Sequence, residues 1–589
     1  MKHLFSLILW AGFLLPPLLV SAQLETLSVP FERDSNTTAT YGEAIHFYET
    51  LAARYPQLRL EEHGSTDVGF PLHLAILSTD GSFTPAAARA GGKQVLFINN
   101  AIHPGEPCGV DATMLLFRSL LQDASWRPFL DRLVILAIPF YNIGGGLNRG
   151  SYSRANQNGP RAYGFRGNAR NLDLNRDFIK CDSRNAQTFN RLFASWQPDV
   201  LIDTHSSDGA DYQYTMTLVP PQCDKLDPSL ATYLDEELMP RLYAGMKEAG
   251  WEMTPYVYAR DTPDKGIAGF LDLPRYSSGY AALHNTIGFM TEAHMWKPYK
   301  DRVRGTYTFI ATMIKAMNEQ RNALEQAREK AGQHVINQDS FALDWALDFS
   351  RSDTILFKGY EAGHKKSEVS GLDRMYYDRS RPYEKEIPYF RYYQPTASAR
   401  RPFAYIIPQA YTGVAERLRW NGVAVHQLAE DTELEPEFSY IEEYETRERP
   451  YEGHYPHYNV KTREVHRRHL FRKGDYVAFT SQPANRYIVE TLEPRAADSF
   501  FAWNFFDGIL MQKEYFDSYI FEDTAAALLR NDPALRDALE KKRQEDEQFA
   551  QSARAQLDFI YRRTPYYEPT HNLYPVARLW EEVSLPLKN

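Results

Sequence analysis

At 589 residues the chain is too long for one ordinary core, so two or more domains are expected. Hydrophobic residues at 43% and charged residues at 24% exclude a disordered or fibrous protein. The net charge of -10 comes from interspersed acidic and basic residues, which argues against nucleic acid as a partner, because phosphate binding needs a basic stripe.

The first element in the chain reads as a leader. Lys2 and His3 precede an apolar run from Leu4 to Val20, and small residues follow to Ala22, the pattern of a secretion signal. Pro16, Pro17 and a run shorter than the ~20 residues of a bilayer span argue against an uncleaved anchor. No later segment has the length and apolarity of a membrane span. The expectation is a signal peptide over 1–22 and a mature chain from near Gln23, secreted or periplasmic, with no stable membrane insertion.

Residues 40–53 carry apolar positions at helical spacing. Short apolar runs at 72–77, 94–98, 132–138, 199–204 and 287–291 predict buried strands, and 109–121, 184–195 and 233–249 predict helices between them. Such alternation implies an α/β fold, a mainly parallel mixed sheet covered by helices on both faces. A long charged helix over 301–331 is expected to close this first domain, placed at 23–335. Residues 336–589 change character to Tyr-rich stretches and predict a second mixed α/β domain of unknown role. Within it, 475–480 and 486–493 read as alternating, strand-like stretches. Residues 404–408, 411–420 and 423–428 read as strand–helix–strand, and 532–557 as one charged helix. The three cysteines, Cys108, Cys181 and Cys223, have no C-x-x-C spacing and cannot form a disulfide framework.

The chemistry concentrates at strand ends. His103-Pro-Gly-Glu106 follows the run at 94–98, and its prolines and glycine keep it out of regular helix, so imidazole and carboxylate can converge. Those donors suit zinc. The spacing alone is weak, since His46 and Glu49 share it on a helix without further support. His205 ends the apolar run from Asp199, and Glu292 ends that from Ile287, where a carboxylate is expensive unless paired or used. All sit just past the carboxyl ends of predicted strands, where open α/β sheets place their ligands. Asn175 and Arg176 offer an amide beside a guanidinium fork suited to a carboxylate. His454, His457, His466 and His469 lack acidic companions at useful spacing and read as surface histidines.

His103-Pro-Gly-Glu106, Asp173-Leu-Asn175-Arg176, Asp203-Thr-His205-Ser and Thr291-Glu292 resemble, in this order, the motifs of the carboxypeptidase A-like zinc metallopeptidases. The resemblance covers about residues 40–310. It implies one Zn2+ per chain held by His103, Glu106 and His205, with Asp173 orienting the first histidine. It implies Glu292 as general base, Arg166 as the group polarising the scissile carbonyl, and Asn175 and Arg176 as the clamp on a substrate carboxylate. Tyr276 and Tyr280 are both candidates for a tyrosine that the family places over the substrate. The family's Asn-Pro-Asp-Gly is here Asn142-Ile-Gly-Gly145. The implied activity is a metallocarboxypeptidase acting on peptides with a free C-terminal carboxylate. Two alternatives stay open: a zinc amide hydrolase acting on cell-wall peptides or acyl-amino-acid conjugates, and an inactive peptide-binding homologue.

Overall fold

The computed structural model describes residues 27–588, and the expected signal peptide over 1–22 lies outside the described residues. The first helix, Tyr41–Arg54, starts where Thr40 and Glu43 satisfy each other's backbone N–H groups in a capping box. Nine strands follow in the first unit: β1 Leu58–His63, β2 Leu72–Leu77, β3 Gln94–Asn99, β4 Leu133–Ile138, β5 Val200–His205, β6 Met216–Val219, β7 Met253–Pro255, β8 Ile267–Ala268 and β9 Ile287–Ala293. All but β8 form one sheet in the order β1-β2-β4-β3-β5-β9-β6-β7. Its centre, β4-β3-β5-β9, is parallel throughout, and β2 and β6 flank it antiparallel. The central strands are buried on both faces, which is why they read as unbroken apolar runs.

On one face of the sheet pack the helices Tyr41–Arg54, Cys108–Gln122 and Tyr299–Glu319, around Phe47, Phe117 and Phe309. The helix Cys108–Gln122 begins so close to β5 that a Cβ on Gly109 would lie 1.9 Å from Thr204 Oγ1. The other face meets the helix Arg184–Trp196 and, beyond it, the second unit. Phe97 and Phe189 share one continuous core with Tyr405, Tyr487 and Trp503. The second unit therefore completes the burial of the first.

That second unit is built on a six-stranded sheet, antiparallel at every pairing, in the order 425–427, 476–479, 404–407, 577–579, 437–446, 457–466. The expected strand–helix–strand is present, with Tyr476–Phe479 inserted between its two strands. A long hairpin, Asp353–Lys366 with Asp373–Phe390, returns to the first unit and pairs with β8. No helix among the described residues is long and apolar enough to cross a membrane.

Several elements differ from expectation. The helix over 301–331 is two, Tyr299–Glu319 and Arg321–Asn337, broken where Gln320 leaves helical geometry, and the second runs across the expected domain junction. Residues 485–492 form a helix. It is buried on every side, so Arg486 and Glu490 pair with each other at 2.7 Å instead of marking a solvent face, and the pattern mimics alternation. The stretch 532–557 holds three helices, each begun by a capping side chain, from Asp532, Asp546 and Ser552. His457 is buried between Thr446 and Asp507, and His454 bonds Asp182 across the two units, so neither is a surface histidine.

Candidate active site

The centre of the site is a short turn at the carboxyl end of β3. The Glu106 N–H donates to the His103 carbonyl at 2.8 Å, which closes the turn and sets both side chains on one side. Asn142 fastens this loop to the next: its side-chain N–H group donates to the carbonyls of Ile102 and Arg166, while its oxygen caps the helix Ile143–Leu147. His205 is the last residue of β5 and stands opposite Glu292 of β9 in the parallel register. Strand pairing thus delivers the second histidine and the second glutamate side by side.

His103, Glu106 and His205 are buried and offer donor atoms within 4.8 Å of one another. His103 Nδ1 lies 3.3 Å from Glu106 Oε1, and His205 Nδ1 lies 3.2 Å from Glu106 Oε2. The far nitrogens face carboxylates, His103 Nε2 to Asp173 and His205 Nε2 to Asp203, both at 2.8 Å. A carboxylate only accepts, so each ring donates from Nε2 and keeps its Nδ1 lone pair aimed at the common point. His103 Nδ1 is buried without a hydrogen-bond partner. Leaving such an atom unsatisfied is costly, and coordination to a metal resolves it. Two imidazole nitrogens and a carboxylate fit zinc, and three protein ligands leave a position open.

The electrostatics follow from this packing. Burial opposes ionisation of Glu106 and Asp173. His103, joined by Arg154 at Glu106 and by Arg166 at Asp173, nonetheless holds both carboxyls well below the usual range. Burial pushes the Glu292 carboxyl up to about 8; His205 and Arg166 pull against the rise and Glu106 adds to it. A dication beside Glu292 favours its carboxylate form.

A cleft of about 390 Å³ opens over the centre, and His103, Glu106, His205, Glu292, Arg166, Asn175, Arg176 and Tyr276 all reach its wall. Arg166 donates from Nε to Asp173 at 2.9 Å. Asn175 accepts the Ser277 N–H at 3.0 Å, and the Arg176 guanidinium lies 4.4 Å above the Tyr276 ring. Tyr280 is not in the cleft. It is fully buried, donates to Asn421 at 2.6 Å and stacks on Phe178, because the helix Ser277–Leu283 turns that position into the shared core. His46 and Glu49 are exposed on their helix, 3.7 Å apart and away from this centre.

Two residues of the site carried no assigned role in the sequence. Asp203 holds His205, and its place two residues before the histidine on a buried strand was the available signal. Arg154 donates to Glu106 at 2.9 Å and packs over Gly105, where a Cβ would meet its Nε at 2.2 Å. It lies in an irregular loop, and nothing in its neighbourhood marks it.

Residues 44–205 match the zinc carboxypeptidase family, a stretch that holds all three metal-binding candidates and ends before Glu292. The likeness to zinc carboxypeptidases thus lies in the first unit of the chain. Among its relatives is carboxypeptidase 2 of Trichophyton rubrum, 21% identical over 426 residues, which are 69% of this chain and 72% of that protein. Solved structures similar to this chain include a metallo-carboxypeptidase from Burkholderia cenocepacia. It is 19% identical with a TM-score of 0.35, covering 47% of this chain and 67% of that one. Another is a metallo-carboxypeptidase from Pseudomonas aeruginosa in complex with (2-guanidinoethylmercapto)succinic acid, at 14% identity and a TM-score of 0.36, covering 49% and 70%.

Proposed function

We propose that this protein is an exported carboxypeptidase that removes the last residue of peptides, using one zinc ion held by His103, Glu106 and His205. The observation that carries the reading is the sharing of one cleft by this donor set, Glu292 and the Asn175–Arg176 pair. When bound, zinc supplies Lewis-acid polarisation and acidifies a water. Glu292 takes a proton from the attacking water and passes it to the leaving amine. Arg166, at the cleft wall, donates to the oxygen on which negative charge develops. Asp173 and Asp203 hold the two histidine rings in their donor tautomer.

Arg176 selects the end of the chain. Among the described residues its one hydrogen bond to protein runs from Nη1 to the Asn175 carbonyl, so most of its five donors stay available for a carboxylate. Peptides with a free C-terminus should therefore be cut, and the same peptides amidated should react about 30-fold more slowly or worse, the equivalent of ~2 kcal/mol for a charge left unpaired. Arg176→Ala should shrink that gap. Mass spectrometry of the products from matched free and amidated peptides measures both. Equal cleavage of the two by the unaltered enzyme would place it with the internal amide hydrolases and leave the metal centre untouched.

Export rests on the leader-like residues 1–22. Protein recovered from its native host should begin near Gln23 and lie outside the cytoplasm, as intact-mass measurement on cell fractions would show. A cytoplasmic product that retains 1–22 contradicts it.

A further inference from the structure

The floor of the cleft is held by residues from far along the chain. Two segments make it. One carries Asp173, Asn175 and Arg176; the other carries Tyr276, under the Arg176 guanidinium, and Ser277, whose N–H fixes Asn175. The second unit grips both.

On the first segment, the Glu452 carboxylate accepts the Asp173 backbone N–H at 2.6 Å across a separation of 279 residues. It does so from a tight turn closed by backbone bonds between Tyr451 and His454, in which Glu452 takes φ 52 and Gly453 φ 84. A left-handed conformation is disfavoured for a residue with a side chain, so the turn is held by what it contacts. His454 Nε2 lies 2.7 Å from Asp182 Oδ2 and ties down the continuation of the same segment. On the second segment, the Asp498 carboxylate accepts from Arg275 N and Arg275 Nε, both at 2.9 Å. The Arg275 guanidinium lies over the rings of Trp503 and Tyr451, at 5.0 and 5.6 Å. The neighbour of Glu452 thus packs on the neighbour of Tyr276, and one cluster from the second unit sets both halves of the floor.

We propose that Glu452 and Asp498 are positioning residues for the carboxylate subsite: the second unit fixes the pose of Asn175, Arg176 and Tyr276. This rests on the reading of Arg176 as the carboxylate clamp. Misplacing a clamp by a fraction of its reach weakens binding of the group it grips, while the Asp173 carboxylate, still held by His103 Nε2 and Arg166 Nε, keeps its place beside the metal centre.

The test uses the full-length, zinc-loaded enzyme and a peptide pair, free acid and C-terminal amide. Glu452→Ala should raise KM for the free acid about tenfold with kcat within about twofold, and alter amide hydrolysis by less than about twofold, so that discrimination falls about tenfold. Zinc should remain at one per chain. Glu452→Gln should recover most of the loss, because its amide oxygen can accept the same N–H. Asp498→Asn, which keeps one of the two oxygens that accept from Arg275 and Trp503, should show a smaller effect of the same kind and carries the test should Glu452→Ala fail to fold. A lowered Tm with unchanged discrimination, or a parallel loss on both peptides, would overturn the proposal. Arg176→Ala separates the failures. If it abolishes discrimination while the Glu452 and Asp498 variants do not, only the positioning role falls; if it has no effect either, the clamp falls and takes that role with it.

Discussion

Replacing Glu292 by Gln should lower kcat by about a hundredfold or more while leaving the metal bound, the loss expected when a general base is removed. Glu292 sits beside His205 in the strand register, not among the three donor atoms that converge, so the metal does not depend on it. Gln keeps the volume and one acceptor oxygen, so β9 and its neighbours have no reason to move. What disappears is the capacity to take up a proton and return it to the leaving amine. Burial raises the proton affinity of this carboxyl and a dication beside it favours the carboxylate, opposing pulls that suit a group that must accept a proton in one step and release it in the next. Steady-state kinetics alongside zinc analysis decides the matter. Near-normal turnover in a zinc-loaded variant would move the role to another group, and Asp208, also on the cleft wall, is the carboxylate to examine.

The parts of this enzyme that could be read in advance are those in which local chemistry and tertiary role coincide. β2 to β5 and β9 are buried on both faces, so each is a continuous apolar run cut off by turn residues, and the side chains of the candidate site follow where those runs stop. Tyr276 and Tyr280 show the opposite case. Four residues apart, they look equivalent by helical spacing, but the helix begins only at Ser277, so Tyr276 caps it from the cleft while Tyr280 turns into the core. The all-round burial of the helix Asn485–Leu492 erased the polar face that would have revealed its period. Glu452 was beyond local reading altogether. Its partner is a backbone N–H of the first unit, and a backbone group leaves no mark in the side-chain pattern.

The two units therefore act as one enzyme in a specific physical sense. The second buries the face of the sheet that holds Phe97 and Phe189, and from that core it extends Tyr451, Glu452 and Asp498 under the cleft. A truncation at the helix Arg321–Asn337 would expose that face as well as release the floor, which is why point substitutions, not deletion, are the informative probes of the second unit.

His205→Ala should reduce bound zinc by about an order of magnitude or more, and activity with it, because two remaining ligands cannot close a tetrahedral site. The unaltered enzyme should bind one zinc per chain, lose activity to a chelator and regain it on addition of zinc. The substitution removes more than a donor. It strips Asp203 Oδ2 of the ring nitrogen at 2.8 Å, leaving that carboxylate with the Asn99 amide, and Glu106 of the ring nitrogen at 3.2 Å, so two buried carboxylates have less to offset their charge. Some loss of stability is therefore expected, and thermal unfolding with and without zinc separates it from loss of the ion. Zinc should raise the Tm of the unaltered protein, since it binds the folded chain, and should raise that of the variant far less. Elemental analysis of the folded variant gives the decisive number: full zinc occupancy without His205 would remove it from the metal centre and leave His103 and Glu106 in need of another third ligand.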